Sequence, residues 1–546
     1  MACNSTNTSI ETQTPDAVLN AAPFSRGINF SQWFETPNAQ SIQFTRFIEQ
    51  DFINVKSMGV DVIRLPIRMH SMTRGAPEYV LDPLLLKLLD TVVDWAEKHQ
   101  MYLIIDNHSF DPVAPTDTNI DGILLKVWAQ IAQRYKNRGK YVVYEILNEP
   151  HGISDSRWGE IQGMAIETIR KIDTTHAIIV GGTDYNSINK LFSIPEYSDP
   201  NLIYTFHFYD PHLFTHQGAS WGEPSLASLA GVPFPADVLR IPKTPDDLKG
   251  TWVEGALRNY KNDAAFSTLL GRLDKTVAFS RERKAPVFCG EFGVYMIQSP
   301  AKDRVKWYEV VAGALGRRKI ARASWDYFGG FGIFNNQTGG DFHSDVNVDV
   351  VRALGFLPPP QRTRIQKPLN SGFTMYGDYP SNDFSMGYWG EDAVFSMYDT
   401  NADEGEYAIR WGNAGQYDIF WIAFDRNGDF SYLAEAGYCL EFRARTEKPV
   451  SFDVRFVNPE NASSIPWRMR YSINEKTLLP NGKWQTIRVP LANMTEHGAW
   501  VNATQSWLGP QGKFSWKNVK QLEFVAEDGD LKNRDIWFDS IRIMKP

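Results

Sequence analysis

The periodicity of hydrophobic and polar residues differs between two parts of this chain. Between about residues 23 and 357, short apolar runs alternate with stretches in which apolar residues recur about every 3.6 positions, as on one face of a helix. The runs predict eight strands, at 27–30, 60–67, 102–107, 141–147, 177–182, 202–208, 286–289 and 321–325. The intervening stretches predict helices near 41–58, 82–99, 121–137, 155–171 and 254–283. Eight strand–helix repeats predict a (β/α)8 TIM barrel. A doubly wound sheet is the competing topology, but no glycine-rich phosphate loop follows the first strand.

The periodicity of apolar residues changes after residue 357. Three prolines, Pro358 to Pro360, end the helical repeats, and the polar stretch at 358–371 predicts a linker. From 372 to 546, apolar and polar residues alternate in short runs separated by Gly, Asn and Asp, which predicts an all-β sandwich or jelly roll. Residues 1–22 are rich in Asn, Thr and Ser and predict a flexible tether. The expected organisation is a tether, a barrel at 23–357, a linker and a sandwich.

Charge and aromatic content narrow the classes of function. The 546 residues carry a net charge of −8, which argues against a nucleic-acid surface, because such a surface needs clustered Lys and Arg. Aromatic residues make up 13% of the chain, including 17 Trp, and large aromatic faces suit uncharged, ring-shaped ligands such as sugars. No apolar run is long enough to predict a transmembrane segment. We expect a monomer whose ligand is uncharged.

The three cysteines, Cys3, Cys289 and Cys439, are far apart and predict neither a disulfide framework nor a metal site. Ala2, Cys3 and the polar residues after them are typical of the mature end of a bacterial lipoprotein; the alternative is a disordered terminus that happens to carry a cysteine. Asn29 and Asn107 match the glycosylation pattern, yet both are predicted at strand ends facing a pocket, where a glycan would block entry. The sequence therefore favours a bacterial protein, secreted or held at the cell surface.

Polar side chains collect at the predicted carboxyl ends of the strands, which share one rim of a barrel. The stretch VVYEILNEP places Asn148 and Glu149 there, and Pro150 predicts extended backbone at Glu149. The other residues at this rim are Asn29, Arg64, His108, His207, Tyr209, Glu291 and Trp325. Glu149 and Glu291 are two carboxylates with different neighbours, which is what glycoside hydrolysis needs: one protonated acid and one ionised nucleophile. No cluster has metal-ligand spacing, and no Ser/His/Asp set stands at an elbow.

Seven segments carry a specific resemblance: RGINF, VIRLPI, IIDNH, EILNEP, TFHFYDP, CGEFG and SWDYFGG. Together they resemble glycoside hydrolase family 5, a family of retaining barrels with Asn-Glu on the fourth strand and Glu on the seventh. The resemblance covers about 23–357 and implies that Glu149 is the acid/base and Glu291 the nucleophile. It further implies that Arg64 and Tyr209 hydrogen-bond the nucleophile, Asn148 holds the sugar 2-hydroxyl and Trp325 lies under the sugar at the cleavage point. His108 and His207 would orient the substrate and tune the acid/base.

Further sugar contacts are predicted outside this set. Trp33, just after the first strand, either stacks on a sugar or belongs to the core. Trp221 and His212, in the long loop after the sixth strand, resemble the segment that family cellulases use on the leaving-group side. If the enzyme retains configuration, the carboxyl groups of Glu149 and Glu291 should lie roughly 5 to 5.5 Å apart, whereas a gap beyond about 6.5 Å would imply inversion.

The predicted sandwich resembles carbohydrate-binding modules of the jelly-roll type, chiefly through FDSIRI near its end. Among its tryptophans, Trp467, Trp500 and Trp507 stand in polar surroundings and are predicted to be exposed. Such a domain either binds polysaccharide or packs on the barrel as a structural partner. Jelly rolls often hold a structural Ca²⁺, although no oxygen-ligand spacing here establishes one, and no other cofactor is expected.

The expected activity is that of a retaining endo-β-1,4-glucanase acting on cellulose or mixed-linkage glucan. A β-mannanase or xyloglucanase of the same family is the alternative, because glucose and mannose differ only at the 2-hydroxyl. A non-catalytic glycan receptor is disfavoured, since both carboxylates are present.

Overall fold

The computed structural model describes residues 17–18, 20–337, 339–363, 368–460, 464–502 and 504–546, with the backbone alone at 425 and 426. Cys3 and most of the predicted tether lie outside these ranges. The chain divides into two compact units, one made of residues up to Pro37 and Glu49–Arg362, the other of Asn38–Ile48 and Thr363–Pro546. No helix among the described residues combines the length and the apolarity needed to cross a membrane.

Eight parallel strands of the first unit close into a barrel in the order β1 to β8. In chain order they are Arg26–Asn29, Val62–Ile67, Tyr102–Asn107, Val142–Glu145, Ala177–Gly181, Leu202–Phe208, Val287–Phe292 and Ala321–Ser324. Every strand interior is buried, which is why the strands read as continuous apolar runs rather than as an alternation. The TIM barrel predicted from the sequence is confirmed.

Helices connect the strands and surround the barrel. Apart from the left-handed turn at Thr183–Asn186, the α-helices of the first unit are Glu49–Ser57, Pro83–Lys98, Asp121–Tyr135, Asp155–Arg170, His212–Thr215, Trp252–Asp263, Phe266–Arg283, Ala301–Arg317 and Val348–Ala353. Their ends follow ordinary capping chemistry: Asp82 accepts a hydrogen bond from the Leu84 N–H ahead of Pro83, and Ser154 accepts one from Arg157. At the amino end of the barrel, Phe24 closes an apolar cluster with residues from the strands, which are Val62, Ile104, Val143, Ile179, Ile203, Phe288, Ala321 and Ala323. The opposite rim is left for polar side chains.

The helix predicted at 41–58 is wrong in its first half. The α-helix spans only Glu49–Ser57, because the chain from Asn38 to Ile48 belongs to the second unit, where it forms short 3-10 turns at Ala39–Ser41 and Phe44–Arg46. There the side chain of Gln43 donates to the Phe384 carbonyl at 3.0 Å and accepts from the Met386 N–H at 3.3 Å. The Tyr398 hydroxyl donates to the Ile42 carbonyl. We call residues 38–48 the strap.

The second unit is a β-sandwich of two antiparallel sheets. Its strands β9 to β21 are Phe373–Tyr376, Phe384–Trp389, Val394–Asp399, Ala408–Gly412, Ile419–Gly428, Cys439–Thr446, Phe452–Val457, Arg468–Ile473, Gln485–Pro490, Thr495–Val501, Ser506–Leu508, Val519–Val525 and Asp535–Met544, with one short helix at Ser431–Glu435. One sheet has the order β10-β13-β20-β15-β16-β18-β19 and the other β11-β12-β21-β14-β17, with β9 beside β21. Phe420 of the first sheet contacts Phe538 of the second, with ring centroids 5.2 Å apart, so aromatic side chains fill the space between the sheets.

The exposure of the sandwich tryptophans differs from prediction at one position. Trp467 is 6% exposed and therefore part of the core, because strand β16 follows directly and Lys513 packs over the ring. Trp500 and Trp507 are exposed, and they are directly paired across β18 and β19. Trp389, at the end of edge strand β10, is the most exposed of the described tryptophans at 64%.

Candidate active site

Arg64, on β2, lies fully buried at the centre of the polar rim and holds the surrounding acids in place. Its Nε and Nη2 donate to the two oxygens of Glu145 at 2.8 and 2.9 Å. Its Nη1 donates to Glu291 Oε1 at 2.8 Å. Its Nη2 also lies 3.1 Å from Asp106 Oδ2. Burial opposes the charge, but these carboxylates outweigh it and raise the pKa of Arg64 well above its usual range, so the guanidinium stays charged.

Two amides complete the surroundings of this guanidinium. Asn148 Oδ1 accepts from Arg64 Nη2 at 2.7 Å, and Asn29 Oδ1 accepts from Nη1 at 3.1 Å. Asn29 also donates to the carbonyls of Gly290 and Ser324, at 3.1 and 3.2 Å, and thereby ties β1 to β7 and β8. Both amides are buried. The arrangement fixes the orientation of Arg64 and, through it, the carboxylate of Glu291.

Glu291, near the end of β7, is held on both of its oxygens. Arg64 occupies Oε1, and the Tyr209 hydroxyl donates to Oε2 at 2.8 Å. Burial and the nearby carboxylates of Glu291 and Glu149 raise the pKa of Tyr209 well above its usual range, so the phenol remains a donor. Gly290 is required beside it, because a Cβ there would lie 2.8 Å from Thr205 Oγ1 and 3.0 Å from His207 Nε2.

Glu149 stands opposite, after β4. The strand ends at Glu145, and Glu149 has a φ of 46°, so the extended backbone predicted from Pro150 is wrong. The left-handed turn brings Glu149 Oε1 to 2.6 Å from His207 Nδ1. Burial raises the pKa of Glu149 to about 7 and lowers the pKa of His207 to about 4. At neutral pH the imidazole is uncharged and a large fraction of Glu149 is protonated, which is the state of a general acid.

The two carboxyl groups face each other across His207. Glu149, His207 and Glu291 each offer an atom within 4.8 Å of the others, and His207 Nδ1 lies 3.6 Å from Glu291 Oε2. This group of three could hold a metal ion by geometry, but each member already has a hydrogen-bonding role with its neighbours. A bond that lies between Glu149 and Glu291 can therefore be approached by one carboxyl group from each side.

A cleft of about 1050 Å³ opens above the pair, and Glu149, Glu291, Asn148, His207 and Tyr209 all line it. Trp325 and His108 form part of the wall, with their rings nearly parallel and their centroids 5.7 Å apart. Burial opposes a charge on His108, but Asp106 at 2.7 Å and Glu35 outweigh it and raise the pKa of His108 to about 9. Asn29 and Arg64 lie beneath the lining rather than in it. The lining thus combines aromatic faces with hydrogen-bonding groups, as sugar sites do.

A family model described as cellulase (glycosyl hydrolase family 5) matches residues 23–329. This chain belongs to glycosyl hydrolase family 5. The match covers the whole strand set that carries the two carboxyl groups.

Relatives and solved structures agree with this family. Endoglucanase C of Acetivibrio thermocellus is 29% identical over 318 residues, which are 56% of this chain and 91% of that protein. Endoglucanase H of the same organism is 27% identical over 552 residues, which are 94% of this chain and 56% of that protein, so its match includes the sandwich. The crystal structure of endoglucanase Cel5A from Thermotoga maritima superposes with a TM-score of 0.50 and 28% identity, over 60% of this chain and 96% of that one.

The sequence predicts sugar contacts away from the catalytic pair at Trp221, His212 and Trp33. Trp221 lines the cleft with an exposed ring, packed edge-on against Tyr295 at 4.9 Å. His212 also lines it, stacked on His216 at 4.1 Å. Trp33 does not: its ring is fully buried against Trp95 and Phe34 and cannot reach a sugar. The core alternative for Trp33 is the correct one, because its ring stacks on Trp95 of the helix Pro83–Lys98.

Sequence reasoning missed several groups. Asp106 and Glu145 are acids inside buried strands, and a buried acid needs a cationic partner, so this signal could have been used to place them beside Arg64. Glu35 lines the cleft, and burial raises its pKa. Tyr185 and Trp252 present exposed rings to the cleft, and nothing in their sequence neighbourhood marks them. Tyr185 is the middle of three consecutive left-handed residues and stacks on His151 at 4.2 Å.

Proposed function

We propose that this chain is a retaining endo-β-1,4-glucanase that cleaves cellulose-type or mixed-linkage β-glucan. The observation that carries the proposal is the pairing of Glu149 and Glu291 within 4.8 Å in an open cleft of a family 5 barrel. Retaining glycosidases place their carboxyl groups roughly 5 to 5.5 Å apart, and inverting enzymes leave roughly 6.5 to 9.5 Å for a water molecule. Relatives named as endoglucanases support the choice of β-glucan.

In the first step, the ionised carboxylate of Glu291 attacks the anomeric carbon of the sugar. The glycosidic C–O bond breaks as Glu149 transfers its proton to the leaving oxygen, which gives a glycosyl ester on Glu291 and a free sugar hydroxyl. In the second step, the ionised Glu149 takes a proton from a water molecule while the oxygen of that water attacks the same carbon. The ester bond to Glu291 breaks and releases the free carboxylate. Two inversions give net retention.

The neighbours have matching roles. Arg64 and Tyr209 donate to Glu291, one to each carboxylate oxygen, which aligns it for attack. Asn148, locked by Arg64, presents its amide at the cleft for the sugar 2-hydroxyl. Trp325 offers its ring face beneath the sugar at the cleavage point, with His108 stacked behind it. His207 holds Glu149 in place and remains neutral, so that Glu149 keeps its proton.

A β-mannan is the second candidate substrate. One solved relative, Thermotoga maritima Cel5A at 27% identity and a TM-score of 0.50, is described in complex with a mannotriose substrate. Reducing-sugar release should therefore be measured on carboxymethylcellulose, barley β-glucan, xyloglucan and glucomannan. Release from the first two supports the glucanase assignment, whereas release from glucomannan alone contradicts it.

The sandwich is proposed to bind the same polysaccharide and hold it near the cleft-bearing unit. The exposed rings of Trp389, Trp500 and Trp507 support this role, since planar aromatic faces bind sugar rings. In gels containing β-glucan, the Trp500→Ala/Trp507→Ala chain should migrate faster than the unmodified chain, and equal migration would contradict binding through this pair. A polymer substrate, together with relatives that are bacterial endoglucanases, also supports a secreted or surface location in a bacterium.

A further inference from the structure

A second cavity, which we call the side pocket, opens beside the cleft of the first unit. It measures about 420 Å³ and lies between the segment after β2 and the segment after β3. Arg68, Phe110 and Asp111 line both the side pocket and the cleft. A volume of this size falls within the range of small-ligand sites, roughly 300 to 1,000 Å³. The side pocket therefore borders the cleft along these three residues.

His70 gives the side pocket a hydrogen-bonding group of fixed polarity. The Asn107 side-chain nitrogen lies 3.1 Å from His70 Nε2, and because an amide nitrogen can only donate, Nε2 accepts and the ring proton sits on Nδ1. Burial lowers the pKa of His70 to about 4, so the ring is neutral. Among the described residues no partner is found for Nδ1. A donor is thus left over on a residue that lines the side pocket.

Tyr79 gives the side pocket an aromatic face. Its backbone is left-handed, with a φ of 47°, a conformation that is costly for a bulky residue. The turn is closed by the Tyr79 N–H donating to the Gly75 carbonyl at 2.9 Å and by Gln130 donating to the Tyr79 carbonyl at 2.9 Å. A glycine or asparagine would fit this backbone with less strain. The position therefore keeps a tyrosine ring at the pocket against a local backbone preference.

The charges in the lining are largely used internally. Asp111 accepts from the N–H groups of Val113 and Ala114, at 2.8 and 3.1 Å, and these bonds lower its pKa. Asp117 accepts from the Asn119 N–H at 2.9 Å. Both carboxylates therefore shape their own loop. What remains is the exposed guanidinium of Arg68, an aromatic ring, a neutral imidazole donor and apolar side chains such as Ile120. Hydrogen-bond donors beside an aromatic ring suit an uncharged ring that carries hydroxyl groups.

We propose that the side pocket binds one uncharged sugar ring of the polysaccharide in addition to those in the cleft. The proposal rests on the glucanase function proposed above. The ring is either the next residue of the main chain or a branch attached to it, and the chemistry of recognition is the same: Tyr79 packs against the ring face and His70 donates to a ring hydroxyl. Tyr79 and His70 thereby contribute to the preference of the enzyme for linear or branched β-glucans.

The test compares full-length Tyr79→Ala and His70→Gln with Val80→Ala, a change in the same loop at an exposed residue outside the pocket lining. The substrates are an aryl β-cellobioside, which fills the cleft alone, linear cellohexaose and branched xyloglucan. We expect kcat/KM on at least one of the two longer substrates to fall about tenfold in the first two variants, with the aryl cellobioside and Val80→Ala unchanged. Loss on xyloglucan alone identifies a branch, and loss on cellohexaose identifies the main chain.

Two results overturn the proposal: no loss on either long substrate, or an equal loss on all three, which is the mark of a merely structural role. A calorimetric titration separates this outcome from failure of the proposed activity. Cellohexaose and a xyloglucan oligosaccharide are titrated into the full-length Glu291→Gln chain with and without Tyr79→Ala. About tenfold weaker binding of either sugar supports the side pocket even if no β-glucan is cleaved, and identical binding of both contradicts it.

Discussion

His207 Nδ1 lies 2.6 Å from Glu149 Oε1, and burial shifts the two groups in opposite senses, the pKa of His207 to about 4 and that of Glu149 to about 7. A buried neutral imidazole against a buried carboxyl keeps the proton on the acid at neutral pH. This relationship gives Glu149 a chemistry different from that of Glu291, which is paired with a guanidinium. The asymmetry leads directly to a pH dependence.

Activity should fall as the pH rises through about 7, because the acid must carry a proton and the pKa of Glu149 is raised to about 7. His207→Ala admits water beside Glu149, which lowers the pKa of the carboxyl and moves the alkaline limb of the kcat/KM profile to lower pH. His343→Ala, which changes a histidine outside the cleft lining, serves as control. An alkaline limb that stays in place in His207→Ala would contradict this account of Glu149.

Arg64→Met should strongly destabilise the barrel. The substitution leaves the buried acids Glu145 and Glu291 without their cation, and breaking a buried pair in this way costs about 3 to 5 kcal/mol of unfolding free energy. Arg134→Met is the matched control, since its ion pair with Asp90 is partly exposed and should contribute less than about 1 kcal/mol. Urea unfolding followed by tryptophan fluorescence measures both. Equal losses in the two variants would show that Arg64 does not organise the rim.

Tyr185 should contribute to binding of the leaving-group sugar. Its ring is 41% exposed in the cleft, is backed by His151 and stands close enough for the Glu149 charge to raise its pKa, after the larger effect of burial. Tyr185→Ala should lower kcat/KM for cellotetraose about tenfold and leave an aryl cellobioside unaffected, since the latter has no sugar as leaving group. Tyr185→Phe keeps the ring face and should resemble the unmodified chain. A loss on both substrates would instead indicate that the left-handed turn has collapsed.

The strap, added as a separate peptide, should stabilise an isolated sandwich fragment. It supplies Gln43 to edge strand β10 and the Ile42 carbonyl to Tyr398, so a fragment of residues 368–546 lacks these partners. A synthetic peptide of residues 37–48 should raise the melting temperature of that fragment, because a ligand that binds only the folded state stabilises it. A peptide with Gln43→Ala and Phe44→Ala, which also lacks the Phe44 ring that packs on Tyr379, should do so much less. No shift at saturating peptide would mean that the strap is dispensable.

Much of the barrel could be predicted from the sequence, because strands buried on both faces leave continuous apolar runs such as LIYTFHF and YLIIDN. The predicted bounds of these two strands agree with the observed ones. The residues of the polar rim could be predicted as well, because the carboxyl ends of the strands in a barrel lie together at one rim. The strap could not be predicted, because the residues that receive it, Phe384 and Tyr398, are more than 300 positions away. The burial of Trp33, the left-handed turns at Glu149 and Tyr185, and the acids around Arg64 depend on packing between distant segments, which a local pattern does not record.

The assignment of Glu291 as nucleophile and Glu149 as acid/base is tested most directly by azide rescue with an activated aryl β-cellobioside. In Glu291→Ala, azide takes the place of the missing nucleophile, and we expect an α-cellobiosyl azide, of inverted configuration. In Glu149→Ala, the ester on Glu291 still forms and azide displaces it, so we expect the β-azide, of retained configuration. The β-azide from Glu291→Ala together with the α-azide from Glu149→Ala, or no azide product from either variant, would contradict the double displacement proposed for this pair.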